Sequence, residues 1–111
     1  MDEKAFGKTT IAPNVLVTIV KLTTLATPGV TRLTNYGPSS STATAHEPDG
    51  VKIFYRGEQI TVDVYIAISA AENVRLVAEE VQKRVIRAIS EMVGMQVVQV
   101  NVHVADVDMQ S

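Results

Sequence analysis

In the stretch ITVDVYIAIS, positions 60 to 69, Ile60, Val62, Val64, Ile66 and Ile68 alternate with Thr61, Asp63, Tyr65, Ala67 and Ser69. Successive side chains of a strand point to opposite faces, so this run predicts a strand with one aliphatic face and one mixed face. VKIFY (51 to 55) precedes it across RGEQ, a tight turn centred on Gly57 and Glu58, and the two runs predict a β-hairpin. Downstream, positions 72 to 95 change period. Val74, Val77, Ala78, Val81, Val85, Ala88, Ile89 and Met92 keep helical spacing, Asn73 can cap the start, and Gly94 suits the left-handed position after the end. VVQVNVHVADV (97 to 107) then returns to alternation, with Val98, Val100, Val102 and Val104 expected inward and Gln99, Asn101 and His103 outward. A long helix between two strands can carry the chain back over a sheet, so the two strands are expected to lie parallel and adjacent.

The first part of the chain adds a second helix. Pro13 is suited to a first helical position, and Val15, Leu16, Ile19, Val20, Leu22 and Ala26 form a broad apolar stripe that TPG (27 to 29) stops. Thr18, Thr23 and Thr24 weaken the intrinsic propensity, so this helix should depend on docking. GKTTIA (7 to 12) reads as a short edge strand and VTRLTNY (30 to 36) as another. GPSSSTATAHEPDG, about 37 to 50, reads as a flexible loop or hairpin tip. The expectation is one α+β domain over 1–111, in two layers, with two helices on one face of a mixed four- to five-stranded sheet. The other face should stay open.

The chain has no cysteine, which excludes disulfides and thiol chemistry. Its ten Lys and Arg against twelve Asp and Glu give a formal charge of -2, so no global field draws it to nucleic acid or anionic lipid. No run suits a spanning helix, and MDEKAFGKTT lacks the basic and apolar regions of a signal peptide, so the expected place is the cytoplasm, with no direct membrane insertion. Gly7-Lys8-Thr9 lacks the rest of a phosphate-binding loop. His103 has no evident metal coligands, and His46 lies in the 37 to 50 loop. No cofactor and no catalytic site are therefore expected. Asp63 and Tyr65 share the mixed face with Gln99, Asn101 and His103 if the strands are neighbours, and an open polar and aromatic face suits protein docking better than acid–base chemistry. The alternative is a small RNA-binding module using Lys83, Arg84 and Arg87. Glu79, Glu80 and Glu91 around them favour an ion-paired surface instead.

Three stretches together resemble the alkaline-shock-protein family of envelope stress response proteins: GKTTIAPNVLVTIVKLTTLATPGV (7 to 30), GVKIFYRGEQITVDVYIAI (50 to 68) and NVRLVAEEVQKRVIRAISEMVGMQVVQVNVHV (73 to 104). The VNVHV that follows the VAEEVQ helix is the most specific part. Pro13, Gly29, Gly50, Gly94, Asn101 and His103 match recurring family positions. Asn14 stands where an acidic residue is usual, and Asp106 where a glycine often ends the last strand. The resemblance implies a non-enzymatic cytoplasmic protein that self-associates or sits beneath the membrane through a membrane-anchored partner, in some branches linked to regulation of lipid synthesis. It brings no catalytic residues.

Overall fold

The computed structural model describes residue 7, residues 9–35 and residues 50–109; the rest of the head, the 36–49 segment with His46, and the last two residues lie outside the described residues. The elements run α1 (Pro13–Leu25), β1 (Val30–Leu33), β2 (Val51–Arg56), β3 (Gln59–Ser69), α2 (Val74–Met92) and β4 (Gln96–Asp108). Both helix starts are as expected. Pro13 opens α1 without a side-chain cap, and the Asn73 side-chain oxygen accepts from the Leu76 N–H at 3.0 Å to open α2. Past the end of α2, Gly94 takes φ +81° and its N–H donates to the Ile89 carbonyl at 3.1 Å. Gly7 and Thr9–Ala12 form no strand, which corrects the expected edge strand there. The segment contributes no ladder; it leads into Pro13.

β3 is the central strand. It pairs parallel with β4 along its whole length, as a helical crossover requires, and antiparallel with β2 (59 to 64) and β1 (66 to 68). Residues paired with β1 or β2 also pair with β4, so β1 and β2 lie end to end along the edge of β3 opposite β4. Tyr65 sits at the junction: its carbonyl accepts from the Thr34 N–H at 2.8 Å and its N–H donates to the Gly50 carbonyl at 2.8 Å.

The core lies between the sheet and both helices. Ile60, Val62, Val64, Ile66 and Ile68 of β3, together with Val51 and Val100, meet Leu16 and Val20 of α1 and Val77, Val81, Val85 and Ile89 of α2. This is the expected two-layer α+β arrangement with a mixed sheet. Its edges depart from expectation in three places. Val98 is 50% exposed instead of inward, because β4 bulges there: Ile60 pairs with Val97 and Thr61 with Gln99. A second irregularity, at Ala105, brings Val107 opposite Ile68. The extra residues reset the alternation, so the inward row is Val97, Val100, Val102 and Val104. On α2, Val74 and Met92 lie beyond the sheet's cover and are exposed. On α1, Leu16, Val20 and Thr24 are buried, whereas Val15, Leu22 and Leu25 face outward, so only part of its apolar stripe reaches the core.

Candidate functional site

The face of the sheet turned away from the helices carries the expected residues in cross-strand rows. Phe54, Thr61 and Gln99 form one row, Lys52, Asp63 and Asn101 the next, and Tyr65 and His103 a third. The parallel pairing of β3 with β4 thus brings all five candidate residues, Asp63, Tyr65, Gln99, Asn101 and His103, onto one surface. They are ordered by contacts with one another. The Gln99 side-chain amide donates to Asn101 Oδ1 at 2.7 Å, and Asn101 Nδ2 donates to Asp63 Oδ1 at 2.7 Å. His103 Nε2 lies 3.8 Å from the same Asp63 oxygen. The Tyr65 and His103 rings stack with centroids 4.3 Å apart and planes inclined by 12°, and Lys52 Nζ lies 5.9 Å from the Tyr65 ring centre.

This arrangement fixes side chains on an open, partly solvated surface. Asp63 is the shielded member, its side chain 16% exposed, while the His103 side chain is 44% exposed. Such hydrogen bonds strengthen one another, and an aromatic stack contributes about 0.5–1.5 kcal/mol beyond burial. Among the described residues, no group of three or more His, Cys, Asp or Glu could hold a metal ion.

At one end the face is closed by a feature that sequence reasoning missed. Arg32 of β1 reaches across β3 to β4, its Nη2 2.7 Å from Asp106 Oδ2 and 2.9 Å from Asp108 Oδ1, and its Nε 3.1 Å from Asp108 Oδ2. Thr31 Oγ1 also bonds Asp108, and Ala67, in the row between Arg32 and Asp106, is fully buried. Asp106 does not end β4 early; the strand continues to Asp108. The signal available was the i, i+2 spacing of Asp106 and Asp108, which puts both on one side of a strand.

The Arg32 guanidinium, and then the Thr31 hydroxyl, hold the Asp108 carboxyl below its ordinary value of 3.8. A carboxyl depressed on folding adds stability that is complete above its unfolded value and disappears as pH falls through its folded value. Urea titrations of the native chain and of Asp108→Asn are therefore expected to differ modestly at pH 6, the native being more stable, and to converge as pH falls below about 4. Because the group is exposed, the difference should also shrink in high salt. A gap that persists at pH 2 would show that the carboxylate charge is not its source.

Lys83, Arg84 and Arg87 stand on α2, in the layer opposite this face. Arg84 Nε pairs with Glu80 Oε2 at 2.8 Å, and the Arg84 contact holds the Glu80 carboxyl below its ordinary value. The ion-paired surface expected around these cations is thus formed by this pair; Glu79–Lys83 and Arg87–Glu91, also opposite charges four apart, do not form ion pairs among the described residues. No described helix is long and apolar enough to cross a membrane.

Comparison with known proteins places these features in context. Residues 1–109 match the model of the alkaline shock protein 23 family, described as having a cell envelope-related function. The uncharacterised Bacillus subtilis (strain 168) protein YloU is 36% identical over 58 residues, 52% of this chain and 48% of YloU; the chain thus spans about half of that relative. YqhY of the same strain is 24% identical over 109 residues, 96% of this chain and 81% of YqhY. Among solved structures, a copper form of the MamM CTD covers 90% of this chain and 100% of its own at a TM-score of 0.53 and 14% identity. A manganese form gives 0.52 and 16% over 89% of this chain. At these identities the likeness is one of fold.

Proposed function

From the premise that this chain belongs to the alkaline shock protein 23 family, and so to a cell envelope-related role, we propose that it is a non-enzymatic scaffold whose open sheet face docks onto copies of itself or onto a membrane-anchored partner. The observation that supports this reading is the ordered surface made by Asp63, Tyr65, Gln99, Asn101 and His103. The Gln99–Asn101–Asp63 hydrogen bonds and the Tyr65–His103 stack fix an exposed mixed surface on the side of the sheet away from the core. A polar and aromatic patch with its rotamers already set loses little freedom on association, which is what a recognition surface needs. The envelope connection then runs through the partner, the chain itself staying cytoplasmic as one domain over 1–111.

Light scattering on a concentration series tests the reading. The native chain is expected to form a homo-oligomer that the double variant Tyr65→Ala, His103→Ala dissociates, weakening association about tenfold or more with the helical circular dichroism unchanged. A native chain that stays monomeric at high concentration, and that retains no membrane protein in cross-linked pull-downs, would falsify it.

A further inference from the structure

The edge of β4 turned away from β3 is a surface distinct from the mixed face. Among the described residues β4 pairs with β3 alone, so one side of this long strand lies outside the ladder. One contact shows which backbone groups face that way: the Val100 carbonyl accepts from Gln82 Nε2 of α2 at 3.0 Å. Alternate residues of a strand send N–H and C=O to the same side, so Val100, Val102 and Val104 face the free edge, while Asn101 and His103 face β3. Past the irregularity at Ala105 the sides exchange: the Asp108 carbonyl accepts from the Ala70 N–H, and the outward Val107 N–H donates to Asp106 Oδ1 at 2.8 Å. Edges that remain single are guarded by charge, by proline or by short length. From Gln96 to Ala105, β4 contains no Lys, Arg, Asp, Glu or Pro. The opposite edge is divided between β1 and β2 and carries Arg32, Lys52 and Arg56. Val102 and Val104 are also only half-buried, whereas Val64 and Ile66, which they pair with on β3, are wholly buried. Helical cover thins before the sheet ends.

We propose that this edge pairs antiparallel with β4 of a second copy of the chain, about a two-fold axis at Val102. Outward N–H and C=O groups call for another strand, and the β4 run is its own complement. With Val102 opposite Val102, each residue exchanges both backbone bonds with the other copy, and Val100 does the same with Val104. The Gln82 contact does not block this, because a carbonyl oxygen has two lone pairs. On the core side valine then meets valine, and on the mixed face Asn101 meets His103, a donor and acceptor pair with no like charges opposed. Asp106 and Asp108 lie beyond the regular run and are carried to opposite ends of the pair. The two sheets become one, with the Asp63–His103 surfaces side by side. This contact rests on the self-association proposed above and adds to the face contact: two different two-fold contacts on one chain build an assembly larger than a pair, as a scaffold requires.

Amide hydrogen exchange of the full chain by NMR, read beside light scattering over a concentration series, provides the test. The Val102 and Val104 N–H groups are expected to exchange about tenfold or more slowly where scattering shows association than where it shows a monomer, while those of Asn101 and His103, directed at β3, stay protected at both concentrations. Val102→Pro removes the central outward donor without touching the β3 ladder, at an edge position where proline is tolerated, and should weaken pairing about tenfold or more with the circular dichroism unchanged. If that variant does not fold, the exchange of the native chain decides alone. Tyr65→Ala, on β3 and away from the edge, should keep the concentration-dependent protection. Three results would overturn the proposal. Val102 and Val104 protected in the monomer would mean that the chain covers its own edge. A chain monomeric throughout the series would have no pair to form. Association that leaves these two amides unchanged, or protection lost in Tyr65→Ala, would put the contact on the mixed face, and the face reading would stand without the edge.

Discussion

Gly50→Ala is expected to lower the stability of the fold by about 2–4 kcal/mol, summing a left-handed backbone penalty with overpacking. Gly50 has φ +79°, where an L side chain is strained, and an added Cβ would lie 2.8 Å from the Thr34 carbonyl oxygen, 2.9 Å from Leu33 Cβ and 3.0 Å from the Tyr65 carbonyl oxygen. Two of these neighbours are backbone atoms held by ladder bonds at the junction of β1 and β2, Thr34 N–H to Tyr65 and Tyr65 N–H to Gly50. They cannot rotate away as a side chain would. Gly57→Ala is the control: φ is +61° but nothing lies within 4 Å of the added Cβ, so only the backbone term of about 1–2 kcal/mol applies. Urea midpoints for the two variants measure the difference. Equal destabilisation would show that the crowding at Gly50 is relieved at no cost. Since Tyr65 lies at this junction, Gly50→Ala should also disturb the Tyr65–His103 stack, while Gly57→Ala should leave it intact.

What could be read from the sequence is what local spacing encodes. The hairpin, α2 with its Asn73 cap and Gly94 end, and the mixed row of β3 all follow from periods of two and 3.6 and from turn chemistry. The gathering of Asp63 and Tyr65 with Asn101 and His103 needed one further step, the parallel pairing implied by a helix between strands. The phase of β4 was not legible, because VVQVNVHVADV alternates without a break from Val98 to Val104 and gives no sign that Val98 is an extra residue. Only pairing with β3 decides between Val97 and Val98. The stripe of α1 was legible as apolar, but how much of it is covered depends on where α2 and the sheet stop. The Arg32 clamp joins residues 74 and 76 positions apart, and no local pattern specifies such a contact.

Ile66→Ala should cost about 3–4 kcal/mol, the range for deleting a buried aliphatic side chain that leaves a cavity. Ile66 is wholly buried at the centre of the sheet, paired with Leu33 on one side and Val104 on the other. A domain of this size has about 5–15 kcal/mol in total, so the loss should lower Tm by roughly 12–30 °C. Tyr65, its neighbour in the chain, points the other way. Tyr65→Ala removes a ring stacked on His103 and should cost about 1 kcal/mol of stability, most of its effect falling on association instead. The comparison separates the two faces of a single strand, one packed into the core and one turned away from it. If Tyr65→Ala melted as early as Ile66→Ala while association of the surviving folded chain was unchanged, the Asp63–His103 surface would be a structural layer, and the scaffold reading would lose the observation that supports it.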